Sequence, residues 1–359
     1  MAFPRGDMKY VLFSDIHAND IALYKVVAYV ENLLKDQGEY RYLFLGDLVG
    51  YGTTTGALKC IRWLRSHSDI DWIPGNHDEW MAHQGNLSFQ GSAVISLMIQ
   101  KAFLSHPEYQ DDLSWFQRQV ISIIEKQPIL SFEQDGLALY FAHACVENGL
   151  ERVPYLYPWI KSRIKLNSLE LRKKSPQKHI SLFLGHTHYP MLACLQDKMP
   201  VYASIYYGQP ISLCGGVVIA NPGSVGQPRD GDPRSSFAVL DTEKRTITFH
   251  RVEYNIKEME MGLEADGHFG SSFHVLTWEE RDAVMDELKR TKKKIDTAEL
   301  RLLSREQQGA KAKQESKIIN AQETYEELIT RLWAGNNDAN LSLYRGIYRK
   351  VEGGLEAIK

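Results

Sequence analysis

The sequence predicts an α/β fold of layered sheets and helices, and three observations carry that prediction. Through residue 126 short apolar runs alternate with helix-period segments, and from about residue 129 strand-like runs follow one another closely. Polar residues collect where the apolar runs stop. That third observation bears on function, because ligands of open α/β sheets bind beyond the strand ends.

The first run, KYVLFS (9–14), leads into DIALYKVVAYVENLLKDQG (20–38), whose apolar residues recur at three and four and which closes on glycine, as an amphipathic helix does. YLFLGD (42–47) and DWIPG (71–75) each read as a strand ending on a polar, glycine-marked turn. Residues 92–126 read as helical, with SAVISLMIQKAFL apolar enough for the core. Strands are then expected at 137–143, 179–186, 215–223, 235–241 and 246–254. Several of these are apolar throughout, which suits strands covered on both faces.

A chain of 359 residues has room for two domains, or one and an appendage. We divide it at 1–255 and 256–359, the junction falling within 256–277. From Trp278 to Glu327 the chain is rich in Lys, Glu, Gln and Arg with no proline, the pattern of long solvated helix. Leu288, Ile295 and Leu302 are spaced by seven, but of the companion positions Val284, Thr291, Ala298 and Arg305 only half are apolar. A helical hairpin or arm therefore fits better than a coiled coil. This arm is the candidate for self-association or a protein partner.

A net charge of −3 sets up no general attraction to nucleic acid or anionic lipid. Cys60, Cys145, Cys194 and Cys214 lack C-x-x-C spacing, which excludes a cysteine zinc site of that type and favours a reducing compartment. The N-terminal apolar run is far shorter than a signal-peptide core, and no segment is long enough to span a bilayer. The expected location is cytoplasmic.

Five polar clusters stand at the expected strand ends: Asp15-Ile16-His17, Gly46-Asp47, Gly75-Asn76-His77-Asp78, His143, and Gly185-His186-Thr187-His188. Carboxylate, imidazole and amide oxygen make a mixed nitrogen and oxygen donor set, suited to manganese, iron or zinc rather than to magnesium or calcium alone. Taken singly, a histidine at a strand end is an ordinary polar residue, Asp47 a turn residue, and GNHD a turn with a helix cap. Taken jointly, five clusters of matching chemistry point to a metal centre. His67, His83, His106, His179, His250, His268 and His274 lie outside the clusters and read as ordinary packing or surface residues.

The ordered pattern D-x-H, G-D, G-N-H-D, H, G-H-x-H resembles the calcineurin-like metallophosphoesterase superfamily, and NPGSVGQPRD (221–230) is similar to a turn found in many bacterial members. The resemblance covers about residues 8–255. It implies a two-sheet β-sandwich flanked by helices, a four-layer α/β/β/α fold, with a C-terminal helical extension added here. It also implies two divalent transition-metal ions, manganese first, with iron, zinc or nickel as alternatives. Asp15, His17 and His188 would hold one, Asn76, His143 and His186 the other, and Asp47 would bridge them. His77 matches the family's catalytic imidazole, with Asp78 as its orienting partner. Two cations so close need a shared carboxylate, and together they acidify a water between them and clamp a displacement at phosphorus.

This chain departs from the protein phosphatases of the superfamily. It reads GDLVGYG where they carry an arginine in G-D-x-x-D-R-G, and GNHD where they end in glutamate. A phosphoprotein substrate is therefore less expected, and Arg229 in GQPRDGDPR is the candidate replacement, binding a substrate phosphate in bidentate fashion, or else a surface arginine in a turn. Cys145, two residues beyond His143, reads as packing. No G-x-x-x-x-G-K-[ST] loop supports a nucleotide-driven mechanism. The expected activity is hydrolysis of a phosphodiester or of a polyphosphate-linked small molecule or nucleotide. The alternatives are a phosphomonoesterase, including a protein phosphatase, and a non-catalytic scaffold.

Overall fold

The computed structural model of the chain describes residues 8–266 apart from 68–69, 84–90, 127–128, 135, 146–160, 176, 178, 197–198 and 214–215. The predicted arm beyond residue 277, with Leu288, Ile295 and Leu302, lies outside the described residues. In chain order the elements are β1 (Lys9–Phe13), α1 (Asp20–Leu34), β2 (Tyr40–Phe44), α2 (Thr54–Ser66), β3 (Asp71–Trp72), α3 (Asn76–His83), α4 (Gly91–Leu104), α5 (Gln110–Lys126), β4 (Leu130–Gln134) and β5 (Leu137–Phe141). They continue with α6 (Lys161–Lys174), β6 (His179–Phe183), β7 (Pro190–Gln196), β8 (Met199–Tyr202), β9 (Pro210–Ser212), β10 (Val217–Pro222), β11 (Ser235–Asp241), β12 (Thr246–Val252) and α7 (Ile256–Ala265).

The strands form two mixed sheets, ordered β3-β2-β1-β11-β12-β9 and β4-β5-β6-β10-β7-β8. Period-2 alternation along β1 shows how they are sandwiched. Tyr10 and Leu12 face the second sheet and pack with Phe141, Phe183, Val218 and Ala220. Val11 and Phe13 face the other way, into a core built with Leu23 and Val26 of α1, Ile61 and Leu64 of α2, and Phe116 of α5. On the far side of the second sheet Ile180, Leu182 and Ile219 pack against Ile164 and Leu171 of α6. Both faces of each sheet are covered, which is why its central strands are apolar throughout.

Topology places the polar clusters. β1, β2 and β3 run parallel in one sheet, and β5, β6 and β10 run parallel in the other. Within each parallel set the chain leaves every strand at the same edge. Asp15, Asp47 and Asn76 follow β1, β2 and β3; His143 and His186 follow β5 and β6.

Three details differ from the expectation. The helical stretch 92–126 is two helices, α4 and α5, broken at His106-Pro107, where proline cannot donate to the helix ladder and disfavours the helical conformation of the residue before it. The strand of 42–47 ends earlier than expected, at Phe44, ahead of a left-handed turn with φ of 91° at Gly46 and 61° at Asp47, and that of 71–75 ends at Trp72, shortly before Pro74, which cannot donate to the sheet. Helices α2 and α6, and strands β4, β7, β8 and β9, are additional to the expected elements, although α2 carries apolar Ala57, Cys60, Ile61 and Leu64 at helical spacing.

The compact unit carrying these elements ends at Asp266. Helix α7 buries Met259 and Leu263, and Asp266 accepts hydrogen bonds from the Thr54 amide (2.6 Å) and hydroxyl (3.0 Å) at the start of α2. A carboxylate there also complements the helix dipole. A chain ended at Asn255 is therefore expected to melt well below one ended at Asp266. The loss is about 1.5–3 kcal/mol for each buried side chain and about 1 kcal/mol for the cap. Equal melting temperatures would show that α7 is not part of this unit.

Candidate metal centre

The turns that carry the clusters are conformationally unusual. Asp15, His17, Asp47, His186 and His188 have φ of 53°, 49°, 61°, 69° and 60°, a left-handed backbone that costs a residue with a Cβ about 1–2 kcal/mol. Such outliers cluster at functional sites. Glycine lets two of the turns touch: a Cβ on Gly75 would lie 2.1 Å from Asp47 Oδ1, and one on Gly46 would lie 2.5 Å from the Gly75 amide. The β2 and β3 turns could not pack this way otherwise.

All the side chains brought together are buried or nearly so. Three groups of them have potential ligand atoms within 4.8 Å of one another: Asp15, His17 and His188; Asp47, His143 and His186; and His17, Asp47 and His77. Asp47 Oδ2 stands between the first two, 3.7 Å from His17 Nε2 and 3.4 Å from His143 Nε2. Asn76 joins on the His143 side, its Oδ1 3.1 Å from His143 Nε2. His186 meets His143 with ring centroids 5.0 Å apart.

Hydrogen bonds at the outer nitrogens set the tautomers. The Nδ1 atoms of His17 and His143 face the carbonyls of Val49 (3.1 Å) and Leu45 (2.7 Å), and that of His188 faces the Gln227 carbonyl. A carbonyl only accepts, so each Nδ1 carries the proton and, in the neutral ring, each Nε2 turns a lone pair inward. His17 Nε2 and His188 Nε2 then confront each other at 3.1 Å, with Asp15 Oδ1 3.3 Å from the latter. Two lone pairs at that separation beside a carboxylate call for a cation.

Electrostatics agree. Burial pulls His17, His186 and His188 well below the usual imidazole value, so these rings are neutral donors. Burial raises the Asp15 carboxyl to about 7. Burial would also lower His143, but the Asp47 carboxylate beside it more than offsets this and takes it up to about 9. Burial works against the Asp47 anion, yet His143 and His77 hold its carboxyl well below the ordinary range. In the metal-free protein a proton on His143 thus stands where a metal would.

The sign of the pH dependence follows. A His143 proton held up to about 9 stabilises the metal-free fold below the unfolded-state value of about 6.5, and that contribution is lost as pH rises through 9. Metal must displace this proton, and part of one from Asp15. Uptake should therefore tighten from pH 6 toward 9 and release protons at pH 7. Calorimetry of Mn²⁺ addition in two buffers of different ionisation enthalpy reads this directly; heats independent of buffer would contradict it.

Asp78 does something the sequence did not suggest. Its Oδ2 accepts from the amides of Asp47 (2.8 Å) and Gly75 (2.9 Å), and its Oδ1 from those of Leu48 (2.8 Å) and Val49 (3.3 Å). It clamps the turn that presents Asp47, a positioning role. The His77 amide completes the clamp by donating to Asp47 Oδ1 (2.9 Å). Cys145 lies in the apolar cluster against α6, as packing requires.

Tyr51, which sequence reasoning passed over, sits with its ring 4.9 Å from those of both His17 and His77. The Arg229 guanidinium lies 5.8 Å over the same ring, and its Nη2 donates to Gln227 Oε1 (2.8 Å). Arg229 thus stands at the centre's rim, and its charge acts on Asp15, His17 and His77. The loop carrying it is pinned to the β1 turn: Ser224 Oγ and the Gly226 amide donate to the Asp15 carbonyl at 2.7 and 3.0 Å. The hint in the sequence was Tyr51 between two glycines directly after the Gly46-Asp47 turn.

No helix among the described residues is long and apolar enough to cross a membrane. The chain is similar to the crystal structure of a metallophosphoesterase from Sphaerobacter thermophilus, at 27% identity and a TM-score of 0.53, covering 73% of this chain and 95% of that one. A hypothetical protein from Pyrococcus horikoshii OT3 shares the fold at 18% identity and a TM-score of 0.51, over 72% of this chain and 94% of its own. An uncharacterized protein of Methanocaldococcus jannaschii is 26% identical over 251 residues, 69% of this chain and 88% of that protein. Residues 8–245 match the calcineurin-like phosphoesterase superfamily domain, and the chain belongs to that superfamily.

Proposed function

We propose that the protein is a binuclear metal-dependent phosphoesterase acting on a phosphodiester or on a polyphosphate-linked small molecule or nucleotide. The observation that carries this reading is the placement of Asp47 Oδ2 between two inward-facing imidazoles, 3.7 Å from His17 Nε2 and 3.4 Å from His143 Nε2. One ion would be held by Asp15, His17, His188 and Asp47, the other by Asn76, His143, His186 and Asp47. The donor set suits manganese, with iron, zinc or nickel as competitors. Bound there, the pair supplies an acidified water and a clamp on the phosphoryl oxygens.

The chain's own residues do the rest. His77 is buried, and burial takes its ring down to about 4, so at neutral pH it is an uncharged N–H donor. It would donate to the leaving or phosphoryl oxygen and take up more proton character as negative charge builds there. Arg229 would grip a non-bridging phosphate oxygen, steadied by Tyr51 and Gln227. A single guanidinium suits the one negative charge of a diester better than the two of a monoester.

A hydrolysis panel in Mn²⁺ tests the reading. Aryl phosphodiesters, cyclic nucleotides or dinucleoside polyphosphates should turn over faster than aryl phosphomonoesters. Faster monoester hydrolysis would overturn the substrate class, and no turnover by metal-loaded protein would leave a scaffold.

A further inference from the structure

Arg251, on β12, is an arginine whose side chain is 1% exposed. Its Nη1 donates to the carbonyls of Arg234 (2.8 Å) and Asp232 (3.4 Å). Its Nη2 donates to the Tyr207 hydroxyl (3.0 Å) and to the Asp230 carboxylate, and its Nε lies 3.7 Å from Asp232 Oδ2. The guanidinium also stands 5.1 Å over the Tyr207 ring. A buried charge survives only when so paired, and only the rigid fork of arginine reaches this many acceptors together.

What the fork holds is the segment next to Arg229. Asp230 follows Arg229 directly, and Asp232 is bound in turn by Arg234 at 2.7 Å. β12 lies inside its sheet, hydrogen-bonded to β11 on one side and β9 on the other. The loop that presents Arg229 is thus anchored twice: on the β1 turn through Ser224 and Gly226, and on β12 through Arg251. Without Arg251, the Asp230 carboxylate would lose the cation that holds it, and the loop one of its two anchors.

We propose that Arg251 is a positioning residue for phosphate recognition: by holding Asp230 it sets where Arg229 presents its guanidinium. The inference rests on the reading of Arg229 as the phosphate grip. Its chemistry is that of an anionic phosphoester ligand, and it predicts an effect on KM.

The test uses full-length, Mn²⁺-loaded protein and bis(p-nitrophenyl) phosphate. Arg229→Ala should raise KM by about tenfold or more, the size expected for a charged hydrogen bond. Arg251→Met should raise KM comparably, with kcat within about twofold and metal content unchanged, and should add nothing in an Arg229→Ala background, the signature of action through a shared partner. Arg251→Lys should not restore KM, because one ammonium cannot span these acceptors. Asp230→Asn combined with Arg251→Met should recover part of the loss, since no carboxylate is then left without its cation beside Arg229 in the chain. If Arg251→Met does not fold, that charge-balanced pair of substitutions, with and without Arg229→Ala, carries the same comparison. An unchanged KM in folded Arg251→Met, or a full additional rise in the Arg229→Ala background, would overturn the proposal with the Arg229 reading intact. An unchanged KM in Arg229→Ala would overturn that reading and the proposal together.

Discussion

Replacing Asp47 with asparagine is expected to empty or loosen both metal positions at once. The Oδ2 atom that lies 3.7 Å from His17 Nε2 and 3.4 Å from His143 Nε2 is the negative charge common to both donor sets. An amide offers a dipole where two cations need a full charge. The turn itself should survive, because the asparagine oxygen can still accept from the His77 amide, now bonded to Asp47 Oδ1 at 2.9 Å. Metal content by elemental analysis should therefore fall toward zero while the metal-free protein still folds, its melting temperature lowered below pH 9 by loss of the Asp47–His143 pairing. Turnover should drop by about 10³-fold or more, matching the several kcal/mol that metal ions contribute to the transition state. Two tightly held ions in Asp47→Asn would remove the bridging role.

His77→Ala should give the opposite separation, with metals kept and turnover lost. His77 shares a 4.8 Å sphere with His17 and Asp47, so proximity alone does not distinguish a ligand from a proton donor. In the proposed first donor set, however, Asp15, His17, His188 and Asp47 would already supply the ligands. Loss of a general acid or base costs about 10²–10⁴ in kcat. The loss should shrink for good leaving groups such as nitrophenol if His77 protonates the leaving oxygen, and stay constant if it stabilises phosphoryl charge. His143→Ala is the contrast, because it should weaken one metal position. Comparable metal loss in the two variants would make His77 a ligand.

Much of the architecture was legible because each cluster of chemistry-bearing residues follows a parallel strand. Asp15-Ile16-His17 after β1, Asp47 after β2 and His186 after β6 had to emerge at sheet edges, and the ends of short apolar runs marked those edges. The role of Asp78 was not legible, because its partners are four backbone amides on two turns, and backbone groups carry no side-chain signal. The same holds for Gln227, which orients His188 through its carbonyl and braces Arg229 through its side chain. Tyr51 shows a different limit: an aromatic residue between glycines reads as a turn until the fold brings His17 and His77 against it. The break at His106-Pro107 had its signal in plain view, a proline inside the polar stretch SHPEYQDD (105–112).

Anomalous diffraction at the manganese edge, from crystals of the full chain grown with Mn²⁺, is the most direct test of the shared centre. The account predicts two peaks on either side of the Asp47 carboxylate, one against Asp15, His17 and His188 and the other against Asn76, His143 and His186. A single peak, no peak, or a peak bound by His77 in place of His188 would contradict it.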